Sequence, residues 1–342
     1  MSLTTTNIGT VNGLTGQRQS VSRRLQHLLH TNPWVSPLVI LVLSIAIFTI
    51  INPAFAQPRA ISLLIQQTAV IAALGVGQTL VILTAGIDLS VGAVSILATM
   101  LSAVLAQDAG LPGWVAIIVG VLTGTIGGLF NGFLVSKLKL PPFIGTLGTL
   151  SIFTAISLLL SGGRSIQATE LPAEMSAGGE RVPIGPFDLN VGVLVVIAIY
   201  IVVGYALSQT GWGRHVYAVG DDAEAARLSG IRVNRVLLSV YAVAGLIYGI
   251  AAWVLIGRAG AATPNGIVDA NLASITAVVI GGTSLFGGRG GIIGTVLGAL
   301  IIQSFTIGLS LAGVDDQFRV LAVGFLVIFA VAADQWIRKV RA

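Results

Sequence analysis

Cysteine is absent from this sequence of 342 residues, and charged residues make up only 9% of it. The first absence excludes disulfide bonds and thiolate metal sites. The second excludes an ordinary soluble domain, in which about 25% of the residues are charged. Hydrophobic residues instead reach 55%, and the mean hydropathy is +0.95. The composition therefore predicts an all-α membrane protein that crosses the bilayer many times.

The motifs of enzymes and of nucleotide-binding proteins are also missing. The sequence contains no H-E-x-x-H and no G-x-x-x-x-G-K-[ST], and we place no Ser-His-Asp set and no metal-ligand set in it. The apolar segments hold no series of Asp, Glu, His or Lys, which a proton or sodium relay needs. The net charge of +5 is spread over short loops, which argues against nucleic-acid binding. These absences favour a non-enzymatic path for a neutral, hydroxyl-rich solute.

Ten apolar segments approach the length of about 20 residues that a membrane-spanning helix needs. If the N-terminus is cytoplasmic and the segments alternate, most of the 18 Lys and Arg residues fall in cytoplasmic loops. Both termini are then cytoplasmic, with a tail at 1–33, a transmembrane domain at 34–337 and a second tail at 338–342. The segments lie at about 34–52, 61–84, 89–107, 112–136, 143–161, 191–208, 236–257, 268–285, 291–312 and 318–335.

Two connections between the segments are long enough to meet other proteins. The cytoplasmic one, 211–235, is the most highly charged stretch of the chain. Within it, Asp221–Ser229 has acids first and arginine behind, which suits the helix dipole, and Gly230 stands where a helix C-cap favours glycine. We therefore predict a short helix there. The external connection, 162–190, either meets an external partner or is a simple solvated loop.

Glycines recur four residues apart in two of the apolar segments. This spacing places them on one helix face, where they allow a second helix backbone to approach closely. We predict that they are packing positions, and the alternative is that the backbone they expose lines a transport path. The fourth segment contains Gly120, Gly124, Gly128 and Gly132, and the ninth contains Gly290, Gly294 and Gly298.

An acidic residue, Asp88, falls between the second and third apolar segments, in the string T-A-G-I-D-L-S-V-G. An ionisable residue between apolar runs is a candidate for a transport path or gate. Asp88 could equally cap a helix that begins at Leu89, with Gly86 making the break. Both interpretations stay open. The candidate pathway or gating residues are Gly86, Asp88, Ser90, Asn131, Ser284 and Gln303.

A glycine-rich string, GGTSLFGGRGGIIG at 281–294, separates the eighth and ninth segments. Its residues Gly282–Leu285 faintly resemble Gly86–Leu89, and each group lies at a break between spans. Internal repeats are common in transporters, in which the solute passes near broken helices. The alternative is a tight turn at the membrane surface.

The charged connection contains the pattern E-A-A-x-x-x-G, formed by Glu224, Ala225, Ala226 and Gly230. This pattern resembles the ATPase-coupling helix of ABC-importer permeases. The string GIDLSVGA at 86–93 resembles the signature of their ribose-type monosaccharide branch, and GGTSLFGGRGGIIGTVLGA at 281–299 resembles its second hallmark. The resemblance covers about residues 35–337.

The resemblance implies the membrane subunit of a bacterial inner-membrane importer with about ten transmembrane helices. It implies a permease homodimer, a separate ATPase subunit that holds ATP and magnesium, and a periplasmic sugar-binding protein. The coupling residues carried over are Glu224, Ala225, Ala226 and Gly230. Ribose, fructose and similar sugars stay open as substrates, and an ion-coupled secondary transporter of a small neutral solute is the alternative function.

Overall fold

A computed structural model describes residues 34–266 and 270–339. Helices dominate these residues, and the predicted tail at 1–33 and residues 340–342 lie outside them. Apart from the single-turn helix Ala173–Ser176, the α-helices in chain order are α1 (Val35–Ile51), α2 (Pro58–Leu83), α3 (Val91–Asp108), α4 (Gly113–Ser136), α5 (Pro142–Ser161), α6 (Val191–Gln209), α7 (Gly211–Asp221), α8 (Ala223–Leu228), α9 (Val233–Ala259), α10 (Ala270–Ile280), α11 (Ile292–Leu311) and α12 (Asp316–Lys339).

Seven helices in the described ranges are long and apolar enough to cross a membrane, namely α2 to α6, α9 and α11. This confirms a helical membrane protein with many spans, whereas the predicted count of ten is not established by helix length. The segment predicted at 268–285 differs most, because α10 ends at Ile280 and its described part has 11 residues. At 1.5 Å per residue its length is about 16 Å, roughly half the thickness of the hydrocarbon core.

Helices α2 and α10 end in the same kind of backbone turn. At the end of α2 the N–H of Gly86 donates to the Val81 carbonyl (3.1 Å), and Ala85 between them is left-handed (φ 60°). At the end of α10 the left-handed residue is Gly282 (φ 84°), and the N–H of Thr283 donates to the Val278 carbonyl (3.1 Å), which also lies five residues earlier. Gly282 in one turn is therefore equivalent to Ala85 in the other. The sequence strings had aligned Gly282 with Gly86, which is one residue later.

Helices α4 and α9 cross with their backbones in contact. A Cβ atom added to Gly124 would lie 2.5 Å from the Gly245 carbonyl oxygen, and one at Gly128 would lie 2.8 Å from the Gly245 Cα. On the opposite helix, a Cβ at Gly249 would lie 2.7 Å from the Val121 Cα. Because Gly245 and Gly249 are also four residues apart, the two glycine faces interlock, and any side chain would force the helices apart.

The other two glycines of the four-residue series make less severe contacts. A Cβ at Gly120 would lie 3.3 Å from both the Ala98 carbonyl oxygen and the Ser102 Cβ of α3, and one at Gly132 would lie 3.0 Å from the Tyr241 Cβ of α9. These two positions are therefore tight helix contacts, with less backbone approach than at the centre of the crossing.

In the ninth segment the three glycines do not share one role. A Cβ at Gly298 would overlap the Ala277 carbonyl oxygen, and one at Gly294 would overlap the Gly281 carbonyl oxygen, so α11 packs closely on α10. Gly290 precedes α11 and adopts a φ of 121°, in the region that favours glycine. The prediction that Gly290 is a helix-packing position is therefore wrong, because it belongs to the turn.

The connection at 162–190 folds into short elements against the ends of α3, α4 and α9. Met175 is fully buried there, and the Trp253 Nε1–H of α9 donates to the Glu174 carbonyl (3.0 Å). A simple solvated loop would leave these groups exposed. Strand β1 (Ile166–Gln167) pairs antiparallel with β4 (Ala261–Ala262), and β2 (Arg181–Ile184) with β3 (Phe187–Asn190).

Candidate functional site

The charged connection folds as two helices, α7 and α8, where a single helix from Asp221 to Ser229 was predicted. Asp222 makes the boundary, because its backbone is extended and its side chain caps the second helix. One carboxylate oxygen, Oδ1, accepts the N–H groups of Glu224 (2.9 Å) and Ala225 (3.0 Å). These N–H groups have no partner within the helix, so the cap fixes where α8 begins.

The C-terminal end of α8 is closed by Gly230, which has a φ of 85°. Its N–H donates to the Arg227 carbonyl (3.0 Å), and the N–H of Ile231 donates to the Ala226 carbonyl (3.0 Å). This is the turn expected where glycine follows a helix. Both ends of the six-residue helix are thus fixed by local contacts.

Helix α8 presents nearly all of its surface to the outside. Ala226 is buried against the rest of the chain, whereas Glu224 and Ala225 are exposed. At the end of the helix the Leu228 side chain is 78% exposed. The exposed face of α8 thus combines one leucine, the small Ala225 and charged side chains.

Glu224 does not stand free on this surface. The Arg227 Nε–H donates to its Oε2 (3.1 Å), and the Arg227 Nη2 bonds its other oxygen. This hydrogen bond lowers the pKa of the Glu224 carboxyl below its ordinary value. Both side chains are about two-thirds exposed, and an exposed pair of this kind contributes little stability. The pair instead holds the two charges in one orientation.

The break between α2 and α3 forms the second candidate site. Helix α3 begins at Val91 with Ser90 at its N-cap, so the prediction of a helix that begins at Leu89 is wrong. Asp88 is fully buried, and its Oδ1 accepts the N–H (2.8 Å) and the hydroxyl (2.7 Å) of Ser90. Asp88 therefore closes the turn that precedes α3 and does not cap the helix in the way expected.

Ser90 connects this carboxylate to two further helices. The Asn131 Nδ2 of α4 donates to the Ser90 Oγ (2.7 Å), and the Thr149 Oγ1 of α5 donates to the Asn131 Oδ1 (2.7 Å). All four side chains are buried. We call Asp88, Ser90, Asn131 and Thr149 the buried polar chain. Thr149 was not singled out from the sequence, because threonines are frequent in these segments and this one has no special spacing.

The start of α3 also contacts the start of α10. The Asn271 Oδ1 accepts the N–H of Gly92 at 2.6 Å. This N–H lies in the first turn of α3, and Asn271 is the second described residue of α10. The N-terminus of α3 carries partial positive charge, and the buried Asp88 lies just before it.

Several buried polar atoms near the broken helices have no hydrogen-bond partner within the described residues. Asp88 Oδ2 is one of them, and a Cβ added to Gly86 would lie 3.2 Å from another, the Tyr241 hydroxyl. Buried polar groups normally have partners, so each such atom requires an explanation. Other atoms of this kind are both amide atoms of Gln78, the Ser95 hydroxyl, the Tyr248 hydroxyl and Gln303 Oε1.

Two of the candidate pathway residues lie apart from the buried polar chain. Ser284 closes the glycine-rich turn, where its hydroxyl accepts the N–H of Phe286 (3.2 Å) and its own N–H donates to the Arg289 carbonyl (2.9 Å). Gln303 lies on α11 and is buried. Among the described residues, the side chains of Ser284 and Gln303 form no hydrogen bond with any member of the buried polar chain. The structure brings Asp88, Ser90 and Asn131 together and leaves these two elsewhere.

The fold is that of a helical membrane protein with many spans, and comparison with known proteins places it in a family. Residues 60–331 match the family described as branched-chain amino acid transport system / permease component. This match covers more than half of the chain, and the chain belongs to that family of ABC-importer permeases.

Individual relatives align with almost the whole chain. A fructose import permease protein of Rhizobium meliloti is 46% identical over 95% of this chain and 91% of its own length. A ribose import permease protein of Bacillus subtilis is 35% identical over 94% and 98%. The ribose import permease protein of Escherichia coli K12 is 33% identical over 89% and 95%. No solved structure matches the chain significantly.

Proposed function

We propose that the chain is the membrane permease subunit of an ATP-driven importer that carries a monosaccharide across the bacterial inner membrane. The observation that supports this most is the near full-length similarity to permeases named for fructose and ribose import. The sequence supports it as well, because the apolar segments hold no series of ionisable residues, which suits the passage of a neutral solute.

Fructose is the first sugar to test. The fructose permease is 46% identical to this chain, whereas the ribose permeases of Bacillus subtilis and Escherichia coli are 35% and 33% identical. Ribose is the second choice. The family description mentions branched-chain amino acids. We favour a sugar because the amino group and carboxylate of an amino acid call for paired charges, and the buried polar chain holds only one charged side chain.

A topology of ten spans with both termini cytoplasmic accounts best for the helices. Helix α12 has 24 residues, which is enough to cross, and α1 has 17. The described part of helix α10 reaches across only about half of the membrane. Together with the seven helices that are long and apolar enough to cross, these three complete ten, and the odd-numbered spans then run from the cytoplasm outwards. This arrangement places α7 and α8 in the cytoplasm and the folded connection at 162–190 outside.

The cytoplasmic partner is an ATPase subunit that receives α8. Its groove accommodates Leu228 and the small Ala225, while the Glu224 carboxylate, held by Arg227, faces a basic group of the partner. ATP and magnesium are bound by that subunit. Two copies of the permease form the pore, and a periplasmic sugar-binding protein delivers the substrate on the opposite side.

Transport then proceeds by alternating access. Closure of the two ATPase subunits around ATP moves the α8 helices together and opens the external mouth to the loaded binding protein. The sugar passes the region of the buried polar chain, where Gly86, Asp88, Ser90 and Asn131 line or gate the path. Ser284 and Gln303 are secondary candidates. Hydrolysis of ATP returns the permease to its resting state.

The experiment that tests this function is purification of the tagged chain from its native membrane in mild detergent, with mass spectrometry of the proteins that accompany it. We expect an ATPase subunit and a sugar-binding protein. The variant Glu224→Arg should lose the ATPase. Glu180→Arg, which reverses an exposed charge in the connection at 162–190, should keep it.

Uptake of labelled fructose and ribose in cells completes the test. An ATP-driven importer stops when ATP is depleted. If uptake instead survives ATP depletion and collapses with an uncoupler, and the chain purifies alone, the protein is an ion-coupled secondary transporter.

A further inference from the structure

The C-terminal end of α7 contacts two other segments through backbone atoms. One segment is the end of α2, and the other is the glycine-rich turn before α11. The N–H of Gly288 in that turn donates to the Leu83 carbonyl oxygen of α2 (3.0 Å). Gly220 of α7 lies against both partners, because a Cβ there would overlap the Leu83 carbonyl oxygen and lie 2.7 Å from the Gly288 nitrogen. We call Leu83, Gly220 and Gly288 the backbone joint.

Neighbouring atoms leave the backbone joint no free space. A Cβ added to Gly287 would lie 2.6 Å from the Gly220 carbonyl oxygen and 2.8 Å from the Ala85 nitrogen. One helical turn before Gly220, the Tyr217 hydroxyl donates to the Gly290 carbonyl (2.9 Å). Helix α7 is therefore attached to the glycine-rich turn at two points, one through backbone atoms and one through a side chain.

The backbone joint is connected to α8 without a flexible linker. The N–H of Asp222 donates to the Ala218 carbonyl of α7 (3.2 Å), and the Asp222 side chain caps α8. A single residue thus belongs to the end of one helix and to the start of the next. A displacement of α8 reaches Gly220 over two residues of constrained backbone.

From the backbone joint, two routes lead into the membrane interior. Along the first, Leu83 is followed by the turn that contains Asp88 and then by α3. Along the second, the glycine-rich turn leads to α11, whose start packs on the end of α10 through Gly294. The routes meet again at the hydrogen bond between Asn271 of α10 and Gly92 of α3. The break between α2 and α3 and the break between α10 and α11 are therefore both attached, at the backbone joint, to the segment that carries α8.

We propose that Gly220 and Tyr217 are positioning residues of the transport cycle, which pass a displacement of α8 to both membrane breaks at once. This inference rests on the proposed function, in which an ATPase subunit docks on α8. A joint made of backbone atoms suits the role, because long side chains absorb small displacements by changing rotamer, whereas close-packed backbones move together.

The first test variant is Gly220→Ala, compared with Gly148→Ala on α5, where an added Cβ has no atom within 4 Å. The complex of permease, ATPase and binding protein is purified for each, and sugar uptake per ATP hydrolysed is measured in vesicles. We expect the Gly220→Ala complex to assemble and hydrolyse ATP with uptake per ATP lowered about tenfold, within the usual range of coupling between sites. The control should match the wild type.

The second variant keeps the test decisive if Gly220→Ala fails to fold. Tyr217→Phe removes only the hydroxyl that bonds the Gly290 carbonyl, and Tyr205→Phe on α6 is its control, since Tyr205 is 64% exposed and not part of α7. We expect uptake per ATP to fall about threefold for Tyr217→Phe, in proportion to the loss of one hydrogen bond. The control should be unchanged.

The outcomes separate this inference from the proposed function. A wild-type chain that purifies without an ATPase overturns the proposed function and the inference with it. If the wild-type complex assembles and transports, but Tyr217→Phe and every folded Gly220→Ala sample couple as well as their controls, the joint is mere packing. If the variants lose the ATPase subunit itself, the residues support docking and not transmission, which also overturns the inference.

Discussion

Asp88 accepts both the backbone N–H and the hydroxyl of Ser90 through one carboxylate oxygen, Oδ1, at 2.8 and 2.7 Å. Because the Ser90 proton is committed to Asp88, the Asn131 amide has to donate to the serine oxygen, and its own oxygen is left to accept from Thr149. Every side-chain donor in this buried polar chain therefore points towards the Asp88 carboxylate. The second carboxylate oxygen has no partner within the described residues.

Among the four residues of the buried polar chain, Asn131 is the one whose loss should lower the stability of the protein most. The variant Asn131→Leu leaves the Ser90 oxygen without a donor and the Thr149 hydroxyl without its side-chain acceptor. We expect the free energy of unfolding to fall by about 1 kcal/mol, because side-chain hydrogen bonds between membrane helices are modest. Thermal unfolding in detergent measures the change. Thr123→Val, which removes a hydroxyl bonded only within α4, is the control and should shift the transition much less.

Asp88→Asn separates the two roles that the sequence left open for this residue. Asparagine keeps an acceptor at Oδ1 for both Ser90 donors, so the turn should form and the unfolding temperature should change little. It replaces the unpartnered acceptor Oδ2 by an amide donor. If that oxygen meets the sugar, uptake should fall about tenfold, the size expected for one charged hydrogen bond.

The readout is uptake of labelled fructose at equal amounts of assembled complex. Asp108→Asn, which changes an exposed acid at the other end of α3, serves as the control and should transport normally. Full uptake by Asp88→Asn, together with an unchanged unfolding temperature, would show that the free oxygen takes no part in the path and that Asp88 only shapes the turn.

The crossing of α4 and α9 predicts a large effect from a single methyl group. Gly128→Ala would place a Cβ against the Gly245 backbone, so the helices have to separate or shift. Overpacking of this kind costs about 1–3 kcal/mol. Thermal unfolding in detergent should show the loss, whereas Gly148→Ala, which faces open space, should not destabilise the protein. Equal stability of the two variants would contradict the packing role of Gly128.

The features that the sequence could predict are those with a local pattern. The short helix α8 was recognisable because its acids, its E-A-A string and its closing glycine lie within ten residues. The glycine spacing on α4 indicated a packing face for the same reason. The matching pair Gly245 and Gly249 carried the same four-residue signal and was missed, since one glycine pair is common in an apolar helix.

The features that the sequence could not predict depend on contacts between distant segments. The run at 268–285 is mostly apolar, and its length alone did not indicate that α10 ends at Ile280, directly before Gly281 and Gly282. Thr149 gains its role from its hydrogen bond to Asn131 on a different helix. Asn271 gains its role from the N–H of Gly92, which is 179 residues away in the sequence. Gly220 is one glycine among 43, and only the approach of α2 and the glycine-rich turn explains it.

Gly230 offers a graded test of how strictly the end of α8 is defined. Its φ is 85°. Asparagine adopts this angle with little strain, alanine adopts it at a cost of about 1 kcal/mol, and proline cannot adopt it. Proline also removes the N–H that bonds the Arg227 carbonyl. We therefore expect ATPase co-purification to be near normal in Gly230→Asn, reduced in Gly230→Ala and absent in Gly230→Pro.

The control for this series has the same backbone geometry at a site away from α8. Gly313, between α11 and α12, has a φ of 78°, and its N–H bonds the Ser310 carbonyl (3.0 Å). Gly313→Pro therefore introduces the same local defect, and it should leave ATPase co-purification intact provided that the protein inserts. If Gly313→Pro loses the ATPase as completely as Gly230→Pro does, the defect acts through general misfolding, and the end of α8 has no special part in docking.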